Sequence, residues 1–288
     1  MKRLTESKLY LDSSYAPDFI EVQRWLEDAG YMGIDGQTTN PSYFTKKNPV
    51  INARFEAGER FTPEELMAIY RETAEEISQI HPGDTSVEVY ADHDTTADTM
   101  IEQARSFKDW NTSVRIKLPI MVEGLKAAEV LCTEFPLNMT VGFSQAQAAA
   151  VHAVTKHATK PVVYSAFIGR LTDRGENGID NLANVNRMYE EQGSHVEVIA
   201  ASFRDVDQVL AALHLKTDIL TINYDRFKLW AEAGWPTPDA NFEYKFDGKA
   251  IPWQDYDLSA AWDSFDLYHD LTEVGITQFA SDWNSLLK

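Results

Sequence analysis

Residues 114–148, VRIKLPIMVEGLKAAEVLCTEFPLNMTVGFSQAQA, repeat one rhythm. Val114 to Leu118 is a short aliphatic run that reads as a strand. Leu125, Ala128, Leu131 and Phe135 then fall on one face of a helix. Leu137 to Phe143 is a second strand, and Ser144 with Gln147 three residues on marks the start of a second helix. Strand, helix and strand in succession form the unit of a parallel sheet, since parallel neighbours need a long crossover between them.

The same unit recurs in both directions. Upstream, Leu9 to Asp12 precedes a helix from about Pro17, with Phe19, Val22, Leu26 and Ala29 on one face. Gly33 to Asn40 leads into a longer excursion. Within it, Thr62-Pro63-Glu64-Glu65 is a capping box before the stripe Leu66, Ile69, Tyr70, Thr73, Ala74 and Ile77. Ser86 to Ala91 is followed by Ala97, Met100, Ile101, Ala104 and Phe107. Downstream come Val162 to Phe167, His195 to Ala201 with a helix opening at Asp205, and Ile219 to Ile222. Eight such strands close into a barrel or stay open as a doubly wound sheet. No Gly-x-Gly-x-x-Gly follows the first strand, which weakens the dinucleotide-binding form of the open sheet.

No internal repeat, low-complexity segment or Pro/Gly/Ser-rich linker divides the chain, so residues 1–288 are expected to form one domain. The rhythm breaks over residues 223–275, which carry Trp230, Trp235, Trp253, Tyr256, Trp262 and Tyr268, while Pro236, Pro238 and Pro252 forbid one long helix. This aromatic-rich extension is expected to pack on the rest, either covering apolar surface or closing over a site. A last helix carries Ile276, Phe279, Ala280, Trp283 and Leu287.

The formal charge of -19 disfavours nucleic acid and anionic membranes as partners. Cys132 is the single cysteine and lies in an apolar run, so no internal disulfide forms. His81, His93, His152, His157, His195, His214 and His269 show no metal-ligand spacing, and no metal is expected. Met1 to Ser7 lacks an apolar signal core, and no run nears the ~20 apolar residues of a membrane span. A cytoplasmic setting is the simplest expectation.

In a barrel, chemistry gathers at the carboxyl ends of the strands. The polar residues there are Asp12, Thr38, Thr39, Asn40, Glu88, Lys117, Asn138, Thr140, Ser165, Arg170, Ser202 and Arg204. Lys117 stands in an otherwise apolar strand, where low polarity favours a free amine able to attack a carbonyl. Read alone, Lys117 equally suits a lysine paired with a buried acid. Asp12 likewise suits a turn cap, and Arg170 and Arg204 suit structural ion pairs.

Thr-Thr-Asn-Pro-Ser at residues 38–42 resembles the second-strand signature of the transaldolase family, and Ile116-Lys117-Leu118-Pro119 resembles its Schiff-base strand. Glu123-Gly124-Leu125-Lys126-Ala127, Asn138 to Ala148, Ser165 to Arg170 and Ala201-Ser202-Phe203-Arg204 resemble further family motifs, in order, and Phe279-x-x-Asp282-Trp283 a terminal one. The resemblance implies a (β/α)8 TIM barrel and settles the choice left open by periodicity.

It further implies a Schiff base on Lys117, with Asp12 taking the proton from the donor's C4 hydroxyl as the C3–C4 bond breaks. Glu88 and Thr140 would hold the proton-shuttling water. Asn40, Asn138 and Ser165 would bind hydroxyls, Thr38 would position Asp12, and Arg170, Ser202 and Arg204 would grip a phosphate. Phe167 is similar to transaldolases, whereas the related fructose-6-phosphate aldolases carry a tyrosine there. The resemblance implies sugar phosphates as partners, no cofactor and a homo-oligomer. A fructose-6-phosphate-type aldolase, or a transaldolase acting on another anionic sugar such as a sulfosugar, is the alternative; a barrel that binds sugar phosphates without turnover is disfavoured, since it has no need of Asp12, Glu88 and Lys117 together. Two departures bear on the site. Ala166 replaces the family's usual proline, implying a looser loop, and Gly142 replaces a bulkier residue, implying a wider site.

Overall fold

The computed structural model describes residues 1–110 and 113–288. The chain opens with β1 (Lys8–Asp12), α1 (Ala16–Asp28), β2 (Gly36–Thr38), α2 (Pro41–Lys47), α3 (Pro49–Glu56) and α4 (Pro63–Ile80). Next come β3 (Asp84–Glu88), α5 (Ala97–Ser106), β4 (Val114–Pro119), α6 (Val122–Leu131), β5 (Leu137–Gly142) and α7 (Gln145–Val154). It continues through β6 (Val162–Phe167), α8 (Ile168–Asp173), α9 (Gly178–Glu191), β7 (Val196–Ala201), α10 (Val206–His214), β8 (Ile219–Asn223), α11 (Tyr224–Glu232) and α12 (Asp270–Asn284). Among the described residues, β1 to β8 make a closed barrel in chain order, every pair parallel, with β8 closing on β1. The fold is the (β/α)8 barrel.

Local chemistry sets the element ends. The Thr62–Glu65 capping box forms with both hydrogen bonds present. Ser144 and Asp205 accept from Gln147 N and Gln208 N at the starts of α7 and α10. β2 is shorter than the run 33–40 because Asn40 leaves the sheet to cap α2, taking Tyr43 N–H at 2.9 Å ahead of Pro41. β3 starts earlier than Ser86 because Asp84 is drawn into the barrel floor by the Tyr10 hydroxyl at 2.7 Å and Arg115 at 2.6 Å.

Apolar side chains fill two regions. The larger lies between strands and helices, with Phe19, Leu66, Ile116, Leu118 and Leu220 among its buried members. The smaller includes Tyr10, Val163, Ile199 and Ile219, with Phe143, Phe167, Ile276 and Phe279.

The break in rhythm comes later than residue 223. Asn223 caps α11, accepting from Arg226 N at 3.0 Å, and Phe227 and Trp230 bury its inner face, so the eighth unit is complete. The irregular strap starts after α11 and runs along α7 and α9. The Gln145 side chain donates to the Gln254 carbonyl and accepts its N–H, the Gln192 side chain donates to the Tyr256 carbonyl and accepts Leu258 N–H, and Arg187 stacks on Trp253 at 4.2 Å. The strap therefore covers outer helices, while α12 returns beside β5 and α2 and brings Phe279 over the site. No helix among the described residues is long and apolar enough to cross a membrane.

Candidate active site

Strand alternation points every second side chain inward, and at the carboxyl ends of the strands these inward residues are polar. A cavity of about 260 Å³ opens there. Of the residues expected from sequence, Asp12, Thr38, Asn40, Lys117, Ser165 and Phe167 line it, together with Arg170, Ser202 and Arg204. Glu88, Asn138 and Thr140 stand behind that lining.

Lys117 is almost fully buried, and its Nζ donates to Glu88 Oε2 at 2.9 Å and to the Thr39 carbonyl at 3.2 Å. Register explains the pairing: Glu88 on β3 and Asn138 on β5 are its direct neighbours. Burial pushes the Glu88 carboxyl above its ordinary value, and the Lys117 charge only partly opposes this. Glu88 also borders a second cavity, of about 20 Å³, between Tyr70, Val141 and Phe279. That volume suffices for a single water on the scale of roughly 10–15 Å³ each. Thr140 Oγ1 is buried with no protein hydrogen-bond partner among the described residues.

Asp12 stands on β1, three strands round the barrel from β4. Its Oδ1 accepts from Thr38 Oγ1 at 2.9 Å and Asn40 Nδ2 at 3.2 Å. Burial raises this carboxyl, against the lowering influence of Lys117 and those two hydrogen bonds. Between the two walls, Ser165 Oγ donates to Asn138 Oδ1 at 2.8 Å, and Asn138 Nδ2 donates to Ser86 Oγ at 3.2 Å.

The two arginines differ. Arg204 is held, giving a two-pronged ion pair to Asp173 at 2.8 and 2.6 Å and donating to the Ser202 carbonyl and hydroxyl. Ser202 presents both oxygens from a left-handed backbone, φ 70°. Arg170 makes no ion pair among the described residues and lies 5.7 Å from the ring centres of Phe167 and Phe279. Burial, then the nearby Arg204 charge, hold it below the usual guanidinium value. Gly275 on α12 permits this approach, since a Cβ there would come within 3.0 Å of Arg170 Nη1.

Two expectations are corrected. Ala166 is no loop residue: it sits inside β6, fully buried, paired with Gly142 on one side and Ala200 on the other. Gly142 does not widen the site, because the Tyr164 ring takes the space a Cβ would fill, at 2.5 Å. The sheet register shifts beside it, between Met139 and Gly142, and Val141 adopts φ 56°, rare for a β-branched residue.

The lining also holds residues that the strand-end reading passed over. Tyr43 and Lys46 come from α2, Asn223 and Thr221 from β8, and Phe279 from α12. For the two on α2, the signal was their place within two turns of the Asn40 cap.

The fold and site define a barrel with a buried amine facing a carboxylate across a polar cavity, beside a cluster of cationic side chains. Residues 16–288 match the family model described as Transaldolase/Fructose-6-phosphate aldolase. A probable transaldolase of Lactiplantibacillus plantarum is 31% identical, over 96% of this chain and 97% of its own length. One from Anaeromyxobacter dehalogenans is 29% identical over 98% of both chains. Among solved structures, an enolase of the mandelate racemase subgroup from Agrobacterium tumefaciens covers 79% of this chain and 56% of its own at TM-score 0.47 and 13% identity, a distant likeness from which no function follows. The chain belongs to the transaldolase/fructose-6-phosphate aldolase family.

Proposed function

We propose that the protein is a transaldolase that moves a dihydroxyacetone unit from a ketose phosphate, such as fructose 6-phosphate or sedoheptulose 7-phosphate, to an aldose phosphate. The observation that carries this reading is the buried Lys117 amine, joined to Glu88 and facing Asp12 across one cavity.

The amine must lose a proton before it attacks the ketone, and Glu88, with its raised proton affinity, is the acceptor within reach. The carbinolamine then loses water to give an iminium. The Thr140 hydroxyl, without a protein partner among the described residues, is free to hold that water. Asp12 takes the C4 hydroxyl proton, the C3–C4 electron pair flows into the iminium, and an aldehyde leaves. Its raised value suits a base that later returns the proton to the incoming aldehyde oxygen. Asn40 and Ser165 face the three-carbon unit, Asn138 holds the Ser165 hydroxyl from behind, and Thr38 orients Asp12. Arg170 supplies the unpaired cation for the phosphate, with Arg204 and Ser202 beside it. Phe167, where the aldolases carry tyrosine, has no proton to give the enamine, which therefore waits for a second aldehyde.

Borohydride reduction with fructose 6-phosphate and no acceptor, read by peptide mass spectrometry, tests the reading. A reduced three-carbon adduct on Lys117 is expected. A folded protein that gives no adduct on Lys117 with any phosphorylated or sulfonated ketose would overturn it.

A further inference from the structure

Tyr43 is the one phenol in the lining of the large cavity among the described residues, and no step above uses it. Its backbone is held by Asn40, which accepts Tyr43 N–H at 2.9 Å, and Lys47 Nζ lies 5.5 Å from its ring centre. Tyr43 and Asn223 line the same cavity, and the Asn223 side chain lowers the phenol's proton affinity as a donor does. Asn223 Oδ1 is engaged by Arg226 N–H at 3.0 Å as the cap of α11, which leaves its amide NH2 to face the phenol. With the Asn223 amide available to it only as a donor, the phenol keeps its own proton for a ligand. Burial, and after it the negative charge of Asp12, keep that phenol protonated well beyond neutral pH, so it is a donor and not a base.

Its location identifies what it meets. Asn223 is the direct partner of Asp12 across the β1–β8 seam, so the phenol stands beside the carboxylate that serves the C4 hydroxyl. The charge of Arg204 also reaches it, from the end of the cavity given above to the phosphate. In fructose 6-phosphate only C5 lies between C4 and the phosphorylated C6. We infer that Tyr43 is a specificity-determining residue that donates a hydrogen bond to the C5 hydroxyl of the ketose phosphate, which is the C2 hydroxyl of the aldose phosphate that leaves or enters. The inference rests on the transaldolase reading and gives a partner to the C5 hydroxyl, which that reading leaves without one.

A two-by-two comparison tests it. Wild type and Tyr43→Phe are each supplied with fructose 6-phosphate and its 5-deoxy analogue, with erythrose 4-phosphate as acceptor, and kcat/KM for the donor is read. Removing the hydroxyl from either side should lower kcat/KM about tenfold, and removing both should cost no more than one removal. Asn223→Asp keeps the α11 cap but offers the phenol an acceptor, turning its proton away from the cavity. This variant should also lose its discrimination between the two donors. Thermal melting checks that all variants are folded. Losses that multiply to about a hundredfold, or a Tyr43→Phe enzyme within twofold of wild type, overturn the inference. So does full discrimination by Asn223→Asp. Absence of any adduct on Lys117 in the wild type is a different result: it removes the Schiff-base reading beneath.

Discussion

Strands β3 and β4 carry two acid–base pairs, one at the floor of the barrel and one at its mouth. At the floor, Arg115 meets Asp84 at 2.6 Å, and at the mouth Lys117 meets Glu88 at 2.9 Å. The same two strands supply both, yet the carboxyls behave oppositely. Burial pushes Asp84 up, but the Arg115 charge and the hydrogen bonds from Tyr10 and Arg115 outweigh it and hold the carboxyl below its ordinary value. Burial pushes Glu88 up too, and there it wins. The floor acid accepts from a guanidinium and a phenol, and the other arm of Arg115 is tied to the carbonyls of Leu137 and Pro161. The mouth acid shares one amine with a backbone carbonyl and senses the negative charge of Asp12. A carboxylate with two side-chain donors of its own stays ionised and specifies structure, whereas one with a single shared donor keeps a proton in play.

The sharpest test of this contrast is Lys117→Met. Transfer activity should fall by on the order of 10⁴-fold or more, as when a covalent nucleophile is removed, while cooperative unfolding in urea persists. Arg115→Met should do the reverse. It leaves Asp84 without its cation and should cost about 3 kcal/mol, the low end for a broken buried pair because Asp84 is partly exposed. The kcat of the folded fraction should stay within about threefold, since no floor residue lines the cavity. A large activity loss from Arg115→Met with intact stability would erase the distinction between the pairs.

Glu88→Gln comes next. Losing a positioned acid–base group should lower kcat about 10²-fold. Its effect on stability has a defined sign. Glu88 is raised in the folded state, so its contribution is fully present below the unfolded value of about 4.3 and is lost as pH rises through the folded value. Glutamine does not titrate, so the decline in stability between those two values should be shallower in the variant. Unfolding free energies compared at about pH 5 and pH 8 read this directly. Identical slopes would mean that Glu88 is as well partnered as Asp84.

The floor network also shows where sequence reading stopped. Strand rhythm, the Thr62–Glu65 box and the caps at Ser144 and Asp205 are local patterns, and each carries its own geometry to the reader. The strand-end polar residues were legible for the same reason, since period-two alternation sends them inward. Arg115 stood two residues from Lys117 on the same inward face, and two cations in one apolar strand require two acids. Asp84 and Glu88, four apart on the adjacent strand, are those acids. That inference was open but needs the register between strands, which side-chain patterns do not state. Asp173 on Arg204, and Tyr164 filling the space beside Gly142, are likewise contacts between distant segments. Tyr43 and Asn223 were missed because both sit where capping chemistry, a sufficient local reason, already accounts for their surroundings.

The smallest expected effect refines the floor itself. Tyr10→Phe removes the hydroxyl that donates to Asp84 at 2.7 Å and leaves the Arg115 pair in place. One hydrogen bond to a carboxylate should be worth about 1–2 kcal/mol at pH 7, with no change in kcat. The sign with pH follows from Asp84. Its folded value is depressed, so the stability it contributes is present above the unfolded value of about 3.9 and is lost as pH falls toward the folded one. Removing the phenol weakens that depression. The difference between wild type and variant should therefore be constant from about pH 8 to 5 and shrink below about pH 4, measured by urea unfolding at each pH. If the difference holds unchanged at acid pH, Tyr10 acts through ring packing against β2, where Gly36 makes room for it, and the depressed Asp84 owes nothing to the phenol.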